Sequence, residues 1–313
     1  MAYNRIRSCK FFIDAVLLAR QFGCIETENS DGLFYLNPTK KKNFDIDGTI
    51  FKFVKFKNRY FINSLTHIFY FGHDFYANNI SFRLKSEGSG TDSEFFGNTT
   101  VQTNGWHFES FSEIMDVNND TLTAVFTGDA NPSFNISDMS VGWSYEMPHS
   151  PDMELTQSMS NESLKTQTTK GGVTLTNTGW NHQPYWGSFP AWARGTAIPG
   201  TAFHSSVFGG NIFSNGRRSW NLKFSYVSDE DLFPSALHDS YGIFVKINDD
   251  SFSIKDNFAS KVLPTINLGL PFIFQPDSTV EEYAIVRANS DSVTFNQVAN
   301  NVYDVSMSLT ETF

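Results

Sequence analysis

Large apolar and small polar residues alternate with a period of two in several stretches of the chain. The pattern is most regular in Ser219-Trp220-Asn221-Leu222-Lys223-Phe224-Ser225-Tyr226 and in Tyr303-Asp304-Val305-Ser306-Met307-Ser308-Leu309-Thr310. Successive side chains of a strand point to opposite faces, which no helix reproduces, so both stretches are predicted as strands with one face on a core. Trp220, Leu222, Phe224 and Tyr226 should face inward on the first, and Tyr303, Val305, Met307 and Leu309 on the second. Shorter alternating or apolar runs predict further strands over 49–56, 64–71, 80–85, 122–126, 134–143, 241–247 and 283–287. Val173 to Thr176 adds a small one inside a polar region. Gly, Asn and Asp separate these runs, and strands at this spacing predict an all-β protein of β-sandwich or jelly-roll domains.

One short helix is expected near the start. Phe12, Ile13, Val16, Leu17 and Ala19 or Arg20 recur at helical spacing, with Ser8 or Asp14 as N-cap and Gly23 as stop. A helix of some ten residues is marginal alone, so it must dock on its own sheet or on a neighbouring copy. Three segments follow from these patterns: an N-terminal helical docking segment (1–40), a jelly-roll-like β-sandwich (41–150), and a second β-rich domain (151–313) with a long aromatic loop at 176–218.

Composition sharpens this picture in two ways. Thirty-two of 313 residues are Phe and only 18% are charged, so aromatic rings should fill the core between sheets. The net charge of -10, from 23 basic and 33 acidic residues, disfavours a nucleic-acid or anionic-membrane surface, because phosphate binding needs a concentrated cationic patch. Lys40-Lys41-Lys42 beside Pro38 reads as a solvated turn. Cys9 and Cys24 are too few for a disulfide framework and read as small apolar residues in a reducing compartment. Asp14 and Arg20 interrupt the N-terminal apolar stretch, and no segment approaches the roughly 18 apolar residues of a membrane span. Synthesis in a cytoplasm without membrane insertion is the expectation.

The chemistry-bearing residues form no catalytic signature. Seven histidines, at 67, 73, 107, 149, 182, 204 and 238, are scattered, with no HExxH, nucleophile elbow, P-loop or dinucleotide fingerprint. His73-Asp74 and His149 with Asp152 could supply an acid and a base; a turn histidine bonded to backbone explains them equally. Glu109, Glu113 and Asp116, and the run Asp229-Glu230-Asp231, read as solvated loop charge beside the paired-carboxylate alternative. Asp116 to Asp120 resembles the opening of a calcium loop, but Thr121 and Thr127 replace the glycine and glutamate of an EF-hand. The sequence therefore assigns no enzyme activity, catalytic residue, cofactor or metal ligand. The binding candidates are Trp180, Tyr185, Trp186 and Trp192, which can serve as core rings, as subunit-interface anchors or as glycan-stacking platforms.

Several motifs carry a resemblance. The run Ile68-Phe69-Tyr70-Phe71-Gly72-His73-Asp74-Phe75, followed by the alternating Ile80 to Leu84, resembles a discoidin-like jelly-roll module of structural proteins of tailed bacteriophages. Asp74 stands where that module usually has Asn. Trp143 to Asp152, Gly216-Arg217-Arg218-Ser219-Trp220, Phe295 to Ala299 with the stretch from Tyr303 to Phe313, and Arg7 to Gly23 are similar to segments of such proteins. The resemblance implies a virion structural protein of the tail, tail tip, baseplate or fibre attachment region. It would act as a homo-oligomer together with other virion tail proteins. A host-surface carbohydrate-binding module is the alternative, and a tail-associated glycan depolymerase the second.

Overall fold

A computed structural model describes residues 7–38, 42–45, 48–57, 61, 65–76, 78–90, 93–100, 105–111, 119–128, 133–152, 156–160, 164–178, 217–233, 257–289 and 293–312. In chain order the elements are β1 (Lys10–Asp14), α1 (Ala15–Gln21), β2 (Ile25–Asn29), β3 (Lys42–Asp45), β4 (Thr49–Phe56), β5 (His67–His73), β6 (Ser81–Gly88), β7 (Ser93–Thr100), β8 (Gly105–Ser110), β9 (Asn119–Thr127), β10 (Ser133–Ile136) and β11 (Asp138–Glu146). They continue with β12 (Thr156–Ser160), β13 (Leu164–Thr168), β14 (Thr174–Thr178), β15 (Arg217–Ser228), α2 (Asp229–Leu232), α3 (Phe258–Lys261), α4 (Leu263–Asn267), β16 (Phe272–Gln275), β17 (Ala284–Ala288), β18 (Thr294–Ala299) and β19 (Val302–Glu311).

The protein is an all-β sandwich of antiparallel sheets. The larger sheet runs β12-β15-β19-β17-β16-β1-β11-β5-β8, with β18 also on β19; the second runs β2-β4-β9-β6-β7. β1 is central: Phe11 pairs with Tyr145 on one side and with Phe274 on the other. The large sheet thus draws strands from all three segments marked out by the sequence.

One face of the large sheet supplies most of the core. Over β11 and β5 the second sheet covers it, with the Tyr70 and Phe82 rings 4.7 Å apart and Phe61 bridging Phe56 and Trp143. Over β1 and β16 the short helices cover it. Phe258 stands 5.9 Å from Phe11 and 5.9 Å from Tyr145, and Trp143 Nε1 donates to Lys261 O at 3.1 Å. The opposite face holds a smaller cluster of Phe12, Phe69, Phe71, Trp106, Ile273, Tyr283 and Ile285 with Leu36. The Phe12 ring meets Phe69 edge-on at 5.3 Å, an arrangement favoured by the ring quadrupoles.

Two sequence expectations shift in detail. The N-terminal helix exists, but it begins only at Ala15. Asp14 is its N-cap, accepting from Leu17 N at 2.7 Å, and Gly23 ends it at φ 65. Phe12 and Ile13 belong to β1, where they pair with Ser144 and Trp143 of β11, and Phe11, Phe12 and Ile13 are buried in a row because this strand lies between two covered faces. Among the described residues the single expected helix is joined by three further short ones, α2 to α4. Neither cysteine forms a disulfide. No helix among the described residues is long and apolar enough to cross a membrane.

Candidate assembly surface

Trp180, Tyr185, Trp186 and Trp192 lie outside the described residues, but their points of attachment do not. Thr178 pairs with Leu164 in β13–β14, and Arg217 pairs with Ser160 in β12–β15. Three residues separate Ser160 from Leu164, so Thr178 and Arg217 sit within roughly 25 Å of each other. Arg217 belongs to the β12 end of the large sheet, and Thr178 to β14, which follows β12 in the chain.

Beyond that end the chain forms a separate two-stranded ribbon, β13–β14, in the register Thr166↔Thr176, Gln167↔Leu175 and Thr168↔Thr174. Its turn is tied by Thr169, whose N–H donates to Val173 O at 2.9 Å and whose Oγ1 accepts from Val173 N at 3.1 Å. Strand alternation places Thr166, Thr168, Thr174 and Thr176 on one face and Gln167, Val173 and Leu175 on the other. Every side chain from Thr166 to Thr176 is exposed. Val173 is 59% and Leu175 57% accessible, so among the described residues the ribbon's apolar face has no core beneath it.

The root of β15 is fixed by a buried cation. Arg218 is 1% exposed and lies 5.0 Å from the Trp220 ring. Its Nε and Nη2 donate to the two Glu311 oxygens at 3.2 and 3.1 Å, while Nη1 donates to Glu282 Oε1 at 2.6 Å. Glu282 closes the loop 276–282, so this loop stands beside the same sheet end as the ribbon. The loop is shaped by Asp277 Oδ1, which accepts from Thr279 N at 2.9 Å, and by Gln275 Nε2 donating to Val280 O at 2.8 Å. Its Val280 side chain is 47% exposed.

Further along β15, Tyr226 departs from the expected inward position. A bulge between Phe224 and Val227 puts Tyr226 at φ 61 with 77% of its surface in solvent, and Val227 takes the core place. The bulge accommodates two residues where the partner strand has one. Asp304 Oδ1 accepts from Tyr226 N at 3.2 Å, and Asp152 accepts from Ser225 N at 3.2 Å and Ser225 Oγ at 2.6 Å. The adjoining outer sheet face carries hydroxyl and amide pairs, such as Ser308 Oγ donating to Asn221 Oδ1 at 2.7 Å.

The sequence-derived acid and base candidates have structural roles. Asp74 accepts from Asn135 N and Nδ2, each at 2.7 Å. Asp152 holds β15, and His149 Nδ1 lies 2.9 Å from Ser150 O. The run Asp229 to Asp231 forms the first turn of α2, capped by Ser228. Glu113 and Asp116 lie outside the described residues, while Glu109 pairs with His107 Nε2 at 2.7 Å. His67 and His73 are buried; among the described residues His67 Nε2 and both His73 ring nitrogens have no hydrogen-bond partner, and burial pushes both histidines down to about 3. Among the described residues no group of three or more His, Cys, Asp or Glu is arranged to hold a metal ion. No known family's model matches this chain, and no curated protein matches it.

Proposed function

We propose that this chain is a structural protein of a tailed-bacteriophage particle, at the tail, tail tip, baseplate or fibre attachment region, acting through homo-oligomeric assembly with other tail proteins. The observation that carries the assembly reading is the β13–β14 ribbon. A two-stranded ribbon is marginal in water, and this one leaves Val173 and Leu175 uncovered on one face. Ordered docking elements of this kind gain stability when a partner supplies the missing layer. The aromatic-filled sandwich supports the reading as a rigid platform for such an element. The kind of particle, and the discoidin-like jelly roll, come from the sequence resemblance. Immunogold electron microscopy of intact particles, with antibody against this chain, tests the placement. Gold confined to the tail or its tip is expected; unlabelled particles with an accessible epitope overturn it.

Tyr226 favours a second reading, host-surface carbohydrate binding. Its ring is held in solvent beside a hydroxyl- and amide-lined sheet face, the combination that stacks on and bonds to a sugar. Calorimetric titration with host-surface polysaccharide decides it: saturable heat that disappears in Tyr226→Ala supports sugar binding, and no heat retires it.

A further inference from the structure

The ribbon and the 276–282 loop differ in charge and agree in apolar content. Residues 164–178 contain Lys165 and Lys170 and no carboxylate, in a chain whose net charge is -10. The loop Pro276-Asp277-Ser278-Thr279-Val280-Glu281-Glu282 contains three carboxylates and no base. Each presents exposed aliphatic surface, Val173 and Leu175 on the ribbon and Val280 on the loop. Both flank the buried Arg218, since Arg217 pairs with Ser160 just before the ribbon and Glu282 bonds to Arg218. The three aliphatic side chains remain exposed within one molecule, so the two patches do not cover each other in cis.

We propose that the 164–178 ribbon is a cationic arm that docks on the acidic 276–282 loop of a second copy of this chain. Val173 and Leu175 lie against Val280, and the two lysines of the arm bring positive charge to the carboxylate-bearing loop. A five-residue strand reaches about 17 Å, enough to cross from one subunit to the next. Because arm and loop share one end of the molecule, two copies can exchange arms reciprocally, giving the self-complementary contact of a two-fold pair. Steering by opposite charge makes this contact specific and salt-sensitive.

The proposal rests on the assembly reading, but its test reads self-association alone and is separate from particle labelling. Sedimentation velocity of the full chain at about 20 mM and about 500 mM salt should show association that weakens with salt. K165E/K170E takes the arm from two positive charges to two negative, and D277K/E281K takes the loop from three negative charges to one positive; each should weaken self-association about tenfold. An equimolar mixture of the two variants should recover it, because acidic arms then meet a basic loop. Circular dichroism melting confirms that both variants fold. A wild-type chain that stays monomeric at low salt, variants that associate normally, or a mixture without recovery would each overturn the proposal.

Discussion

Asp138 shows how much one side chain can organise. Its carboxylate accepts from the backbone N–H groups of Phe34, Tyr35 and Met139 at 2.8 to 3.1 Å and also from Asn37 N. These bonds hold a loop in which Phe34 and Leu36 adopt positive φ and place their side chains in the two different core clusters. Asp138→Asn turns one accepting oxygen into a donor facing Asn37 N–H, and a loss of about 2–3 kcal/mol is expected in urea unfolding. Burial pushes Asp138 up to about 7 and Asp14 up to about 6, and it pushes His67 and His73 down to about 3. Acids held protonated contribute stability that is complete below about pH 4 and lost as pH rises toward 6–7. Histidines held neutral contribute stability that is complete above about 6.5 and lost as pH falls toward 3. Between about pH 4 and 6 the two acids and two histidines therefore oppose each other. His67→Phe, whose ring would sit among Phe12, Phe69 and Phe108, removes one histidine contribution. Its stability relative to wild type should rise as pH falls from about 6.5 to 4, by on the order of 1 kcal/mol per unit. A constant difference in a pH series of urea midpoints would show that His67 is not held neutral.

Among the elements, β15 and β19 illustrate both the reach and the limit of sequence pattern. The register Trp220↔Leu309, Leu222↔Met307 and Phe224↔Val305 brings the two inward-facing rows together, as their alternation implies. Tyr226 escapes because alternation is blind to a bulge; the only sign is the apolar doublet Tyr226-Val227, which breaks the period. Helix α1 was legible from Asp14 and Gly23, whereas the start of β1 was not, since a short apolar run satisfies helix and strand periods alike. Val173 to Thr176 read correctly as strand, but its solvation on both faces is a tertiary fact that local pattern does not encode. The clasp of Arg218 with Glu311 was invisible for a similar reason, as 93 residues separate the partners. Arg218→Met leaves Glu311 buried without its cation and should cost about 3–5 kcal/mol, while R218M/E311L should recover most of that. Additive losses in the double variant would argue against the pairing. At Gly142, a Cβ would collide with Ile13 O across the β1–β11 pair. Gly142→Ala should therefore lower the melting midpoint sharply or prevent soluble expression.

For the whole molecule, assembly and folding should separate cleanly. Val173→Thr and Leu175→Thr together change side chains that touch solvent, so the melting midpoint should shift by the equivalent of less than about 0.5 kcal/mol each. Self-association should nevertheless fall, and equal association by wild type and variant would exclude the ribbon from the interface. The central position of β1 has a consequence in time. Residues 10–14 leave the ribosome long before one of their two neighbours, β16, which is complete only at residue 275. At about 5–20 residues per second the strand waits some 13–50 s for that neighbour. Through that interval the nascent chain carries Phe11, Phe12 and Ile13 on a strand with at least one open side, and sheltering this short stretch falls to chaperones.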